Sequence, residues 1–381
     1  MLELMNNELV FRFPEVHPKA ELRINLQRTL RIPDDGRTYP LPPGFGCFPT
    51  LMVDDYKERI PAHWREHGGV FVPMYASEAL WICFARAGLG GPVYPFAVRV
   101  AAGKINAVTG DGWSDVMTTG DHLVTPPQPW LDGFAVEKGK IRQFVAAPLG
   151  MGLTVEQQLT GKEEHGGIQI EVRPLKASEY EKIVERERER ERRRPRGGGI
   201  LRGMSLGGGD YGSGDNTLGG GGYYGSGSTT VCSMNAAQAS KGFGEYSESH
   251  CMMADMGLGA GGLMDQQVYE DTYGIDAWDN ARSRVFLHLA NSLAWQAITG
   301  LVPPPSPCTV EAYTRSGMPW FDHYVEGVPV ADGGKNLKGV KSAQTMANAK
   351  GVPFLPSNSS VEVPPEKVVK LGDKAVRDGT W

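Results

Sequence analysis

Phe134-Ala135-Val136-Glu137-Lys138-Gly139-Lys140-Ile141-Arg142-Gln143-Phe144-Val145 decides the fold class. Two β-favouring runs flank a polar connection in which Gly139 can take positive φ, the spelling of a hairpin. Upstream, Glu21-Leu22-Arg23-Ile24-Asn25-Leu26-Gln27 alternates with period two, as a half-buried strand does, and Val10-Phe11-Arg12-Phe13 opens a strand that Pro14 closes. Downstream, Ile168-Gln169-Ile170-Glu171-Val172 alternates again, and Arg284 to Leu289 reads as a buried strand. Helical signals are short. Ser77 with acidic Glu78 predicts a helix to Arg86, closed by Ala87-Gly88. Asn291 or Ser292 caps one through Ile298 that Gly300 stops, and another lies near Thr309 to Arg315. The expected fold is α+β and β-rich: antiparallel sheets, sandwich-like, with a few short helices.

The 381 residues suffice for a sizeable core, with 40% hydrophobic and 22% charged residues. Gly at 50 and Pro at 27 favour turns and extended chain over a helical bundle. A net charge of -5 offers no electrostatic footprint for nucleic acid. Met1 to Val10 lacks a secretory pattern, and charges and prolines break the apolar stretch Val70 to Val100, so no membrane span is expected. Cys47, Cys83, Cys232, Cys251 and Cys308 form no CxxC pair, which argues against a disulfide framework and for reduced thiols in the cytoplasm.

Composition divides the chain. Residues 1–176 form the β-rich part of a main domain, and 263–326 complete it. Between them, 177–262 form an insertion: a Glu/Arg run through Glu185 to Arg194, read as a solvated helix or linker, then a low-complexity tract from Gly197 to Gly262. Residues 327–381 read as an extended tail with little core material.

Two stretches carry a resemblance. Gln128-Pro129-Trp130-Leu131-Asp132-Gly133-Phe134 with Arg142-Gln143-Phe144-Val145-Ala146-Ala147-Pro148-Leu149-Gly150, and Tyr273-Gly274-Ile275-Asp276-Ala277-Trp278 through Pro319-Trp320-Phe321-Asp322-His323-Tyr324, resemble an uncharacterised protein family of bacteria and some filamentous fungi. The resemblance implies no activity. It implies that the segments flanking the glycine-rich tract belong to one domain.

Several motifs match chemistry by spelling alone. His63-Trp64-Arg65-Glu66-His67 matches the H-x-x-E-H of zinc peptidases, but Pro61 and Gly68-Gly69 leave too short a helix for that platform. Gly203-Met204-Ser205-Leu206-Gly207 matches a nucleophile elbow, and Gly257-x-Gly259-x-x-Gly262 a dinucleotide fingerprint. Neither shows the flanking strand and helix its chemistry needs. Asp271, Asp276 and Asp279 fit no calcium loop, and Asp121-His122 is adjacent in sequence, a spacing at which side chains rarely face each other. No metal or cofactor is expected.

The strongest pair is Trp130-Leu131-Asp132 and Trp320-Phe321-Asp322, which share P-W-[LF]-D-x-[FY]. Aromatics beside a carboxylate suit a sugar ring; the plainer account is two core anchors after proline turns, with Asp capping local backbone. The expected function is self-association without catalysis. Ordering glycine-rich chain costs roughly 1–2 kcal/mol per residue, which contacts between copies can offset. Tyr211, Tyr223 and Tyr224 in the insertion and Phe354 and Leu355 in the tail are the candidate contacts. The alternative is a carbohydrate-binding module or hydrolase using Trp130, Asp132, Trp320 and Asp322.

Overall fold

A computed structural model describes residues 1–86, 92–193, 255–353 and 359–371. Its principal strands are β1 (Leu2–Met5), β2 (Glu8–Arg12), β3 (Glu21–Thr29), β4 (Val70–Met74), β5 (Ala79–Arg86), β6 (Phe96–Ala102), β7 (Gly133–Glu137), β8 (Lys140–Pro148), β9 (Ile168–Pro174), β10 (Asp255–Asp265) and β11 (Ser283–Asn291). Two more, β12 (Trp320–His323) and β13 (Val368–Leu371), pair in parallel beside the main sheet. The helices are α1 (Ala62–His67), α2 (Val155–Thr160), α3 (Ala177–Arg193), α4 (Ser292–Thr299), α5 (Val310–Arg315) and α6 (Ala343–Lys350).

The architecture is the β-rich one that the alternation predicts: a large, mostly antiparallel sheet with short helices around it. Strands follow one another in space as β1-β2-β3-β5-β8-β10-β11-β9-β6. The two arms of this sheet share one apolar core, with Phe11, Leu22 and Ile24 of the first and Val98, Val100 and Ile170 of the second all buried in it. Between the arms the Phe13 and Phe96 rings lie 6.1 Å apart. No helix among the described residues is long and apolar enough to cross a membrane.

Local chemistry explains the turns. The β7–β8 hairpin pairs Phe134 with Arg142 and Ala135 with Ile141, and Gly139 closes it at φ +72°. Asn6 and Asn7 both take positive φ and join β1 to β2 tightly, as a two-residue hairpin of that type requires. The Asn291 side chain caps α4 and Gly300 ends it in the left-handed region; the Thr309 hydroxyl caps α5. In α3 Tyr180 is buried, whereas the Glu/Arg run is exposed and laced by i,i+3 ion pairs.

Three expectations are corrected. The helix expected over Ser77 to Arg86 is strand β5, paired with β3 from Leu22↔Arg86 to Thr29↔Ala79. Ser77 sits at φ +55°, and the Glu78 carboxylate accepts from the Tyr75 amide and pairs with Arg28, so the supposed cap is a turn. The run Leu80-Trp81-Ile82-Cys83-Phe84 suits a strand covered on both faces, and an apolar run shows no period that separates strand from helix.

The second correction concerns the glycine-rich tract. Its end, Asp255 to Gly262, belongs to β10, which pairs with β8 from Pro148↔Met256 to Lys140↔Asp265. Its glycines allow close packing rather than looseness. A Cβ on Gly259 would lie 2.8 Å from the Leu153 carbonyl oxygen and 2.9 Å from Ala343, and one on Gly262 would lie 2.3 Å from the Pro33 carbonyl oxygen. The third correction is the tail. Leu337, Val340, Ala343 and Ala347 are buried against the body of their own chain.

These contacts predict the cost of side chains on β10. Gly259→Ala should destabilise the protein by roughly 1–3 kcal/mol, as overpacking does. Gly339→Ala, where a Cβ meets nothing within 4 Å, should be nearly neutral. Urea unfolding followed by circular dichroism measures both.

Candidate functional site

The two Trp-Asp motifs come together, though not symmetrically. Trp130-Leu131 pairs with Ile82 and Cys83 on β5, which puts the Trp130 ring beside Trp81 at 5.8 Å and 63°. From the other side, β12 is tied to Leu41 by reciprocal backbone hydrogen bonds of Phe321, 2.8 and 2.9 Å long. Leu41, Pro42, Pro43, Gly44, Trp81, Trp130, Asp132 and Phe321 line the resulting narrow groove. Its own room is about 20 Å³, space for roughly one water, within a wider hollow of about 290 Å³ that includes open solvent. His323 packs on Trp130 at its rim, ring centroids 5.0 Å apart.

Strand alternation splits the second motif. Phe321 lines the groove, whereas Trp320 is fully buried against Tyr39 and Tyr313. Asp322 is not among the lining residues; its charge acts on Asp265, whose carboxyl burial has already raised. Trp320 is therefore the core anchor that the plainer account describes, and Trp130, half-buried, is a groove wall.

Asp132 does not cap local backbone. It exchanges hydrogen bonds with Gln266: the Gln266 amide donates to Asp132 Oδ1 at 2.6 Å, and the Asp132 N–H donates to Gln266 Oε1 at 3.0 Å. Asp132 is 2% exposed. Burial pushes its carboxyl up to about 7, against the opposing effect of Gln266, and no basic group contributes. A second amide, Gln128, donates to the Trp130 and Gln267 carbonyls and accepts from the Tyr269 N–H. The groove is thus built from residues on both sides of the low-complexity tract.

Trp81 and Gln266 are the site residues that the motifs do not reveal. Trp81 lies in the stretch whose cap signal predicts a helix, and its buried indole N–H has no acceptor among the described residues. Of the candidate assembly contacts, Tyr211, Tyr223, Tyr224, Phe354 and Leu355 all lie outside the described residues, as does Gly203 to Gly207.

The other motifs resolve into local structure. His63 Nε2 meets Asp255 Oδ2 at 2.7 Å, while His67 stacks on Phe286 and bonds the His63 carbonyl, so the two histidines serve different partners. Among the described residues no group of three or more His, Cys, Asp or Glu is arranged to hold a metal ion. Gly257, Gly259 and Gly262 are strand residues of β10 rather than a phosphate cradle. Asp121-His122 departs from expectation: His122 Nδ1 lies 3.2 Å from its neighbour Asp121, and Nε2 lies 3.1 Å from Asp271. Burial opposes the charge on His122, but the two carboxylates overcome it and raise the imidazole to about 9. The side chain is fully buried, which makes this a structural ion cluster.

No protein-family model, curated protein or solved structure matches the chain.

Two buried groups make stability fall as pH rises, whereas His288, lowered to about 3 by burial, acts in the opposite sense between about pH 3 and 6.5. The folded Asp132 carboxyl, at about 7 against its usual 3.8, keeps a proton that the unfolded chain has lost. Its contribution is complete below about pH 4 and declines as pH rises through about 7. His122, at about 9 against 6.5, has the same sign and declines across roughly pH 6.5 to 9. Asp132→Asn should remove the first decline and leave the second, as measured by urea unfolding from pH 4 to 9.

Proposed function

We propose that the protein binds part of a small organic ligand at the shallow groove between Trp81, Trp130 and Phe321, which has to widen to admit it, with Asp132 as its polar anchor. The observation that carries this reading is the convergence of sequence-distant segments on an aromatic groove whose single ionisable lining group is a buried carboxyl with a raised pKa. Apolar walls around one well-placed polar group are the usual make-up of a small-molecule site, and perturbed titration is characteristic of functional positions. Binding through Trp130 and Asp132 keeps half of the Trp-Asp alternative. Trp320 supports the core from beneath, and Asp322 has no part.

Self-assembly through the extensions has less support. Leu337, Val340, Ala343 and Ala347 find apolar partners within their own chain, which removes the need for a neighbouring copy to cover that part of the tail. A hydrolytic reading needs a second acid or base in the groove, and the lining residues include only Asp132.

The two tryptophans should respond differently to truncation. Trp320→Ala should cost about 3–5 kcal/mol, as for large aromatics removed from a core. Trp130→Ala, which removes a half-buried ring, should cost clearly less than Trp320→Ala and abolish ligand contact. In a saturation-transfer NMR screen of small aromatic and alkyl fragments, hits on the wild type should vanish in Trp130→Ala and persist in Val116→Ala, a change at an exposed site outside the groove. A screen whose hits ignore Trp130 would remove the groove from consideration.

A further inference from the structure

We infer that the outer face of β6, β9 and β11, away from the groove, is a site for a phosphate-type oxyanion held by Arg173, Arg282 and Arg284. The three strands lie side by side, and their register sets Arg99, Glu171 and Arg284 in one row. Arg173 lies two residues beyond Glu171, and Arg282 two before Arg284, so strand alternation turns them to the same face. Four guanidinium groups converge on one carboxylate. Arg284 Nε lies 2.5 Å from Glu171, Arg173 Nε 2.9 Å, Arg99 Nη1 3.6 Å and Arg282 Nη1 3.7 Å. The Glu171 side chain is fully buried, so it forms the floor of the cluster, while Arg282 and Arg284 are open to solvent above it.

The cluster holds more cation than anion. Asp121 pairs with Arg99 and Asp115 with Arg284, but Asp121 is shared with His122, which also meets Asp271. With His122 charged at neutral pH, five cationic groups meet four carboxylates among these linked ion pairs. Arg99 shows the deficit directly. It is 2% exposed, and its Nε and Nη1 find no hydrogen-bond acceptor among the described residues; the Trp113 ring covers the guanidinium at 4.3 Å. Guanidinium groups crowded in this way repel one another, and an added anion relieves that repulsion. Their forked donors match the oxygens of phosphate. One of the four carboxylates already stands in for such a ligand. Asp115 is 75% exposed, on a connection where Gly110 and Gly120 take positive φ. Its carboxylate lies 2.8 Å from Arg284 Nη2, and its carbonyl accepts from Arg282 Nη1 at 3.0 Å. An incoming oxyanion displaces this carboxylate from Arg284, while Trp113 stays on Arg99 and keeps the connection in place.

The test is isothermal titration calorimetry of the full chain with inorganic pyrophosphate at neutral pH, with ionic strength held constant by sodium chloride. The wild type should bind one equivalent. Arg282→Ala changes a side chain that is 40% exposed, and it should weaken binding by about tenfold or more through the loss of charge-assisted hydrogen bonds. Asp115→Asn removes the competing charge and should tighten binding by about threefold or more. A general folding defect weakens binding in both variants, so the opposite shifts separate the site from such a defect. Absence of binding by the wild type at millimolar pyrophosphate overturns the inference. So does binding that Arg282→Ala leaves unchanged, and so does an Asp115→Asn variant that binds no more tightly than the wild type.

Discussion

The structure depends on the pairing of β8 with β10. The chain leaves the sheet after β9, runs through α3 and the low-complexity tract, and must return as a strand along β8 to join the two arms. Phe144 faces Ala260, and Ala147 faces Gly257, along a ladder that continues into β11 at Met256↔Leu289. Covering segments press on this strand from Leu153, Ala343 and Pro33. Only residues without a side chain admit such approach, which is why a stretch resembling a flexible linker lies at the centre of the fold.

Buried amides then position the site. Gln143, fully buried, accepts from the Ile32 N–H and donates to the Leu30 carbonyl, replacing the strand partner that this segment lacks. Gln128 and Gln266 do the same between the Trp130 segment and the chain leaving β10. A buried polar group left unsatisfied costs about 1–3 kcal/mol, so each of these side chains fixes one local arrangement and penalises others. Asp132 is the member of this network left with an ionisable group and no opposite charge. Other buried charges are paired or held by backbone N–H groups: Glu171 takes Arg99, Arg173 and Arg284, His122 lies between Asp121 and Asp271, and Glu156 accepts from the Glu164, His165 and Gly166 N–H groups. The contrast gives the groove its chemical character.

Much of the fold was legible where local chemistry and tertiary environment agree. The hairpin at Gly139, the alternating strands of Glu21 and Ile168, and the caps at Asn291 and Thr309 all follow from short-range rules. Sequence and structure part where distant partners decide. Ala79–Arg86 is a strand because β3 and β8 cover it, and a helix signal from Ser77-Glu78 cannot register that. Asp255–Gly262 reads as linker because glycine spells both looseness and close approach. At the site, the shared P-W-x-D spelling marks Trp130 and Asp132, but the residues that complete it, Trp81 and Gln266, carry no motif. Asp121 and His122 do face one another, because Asp271 fixes the far nitrogen of the ring and sets its orientation.

Asp255–Asp265 is a core strand, and without it Gln266 does not reach Asp132. Amide hydrogen exchange along this segment is the most direct measurement. The amides of Leu258 to Met264 should exchange at rates set by global unfolding, together with those of β8. Exchange at the rates of an unstructured glycine-rich peptide, while β8 remains protected, would contradict it.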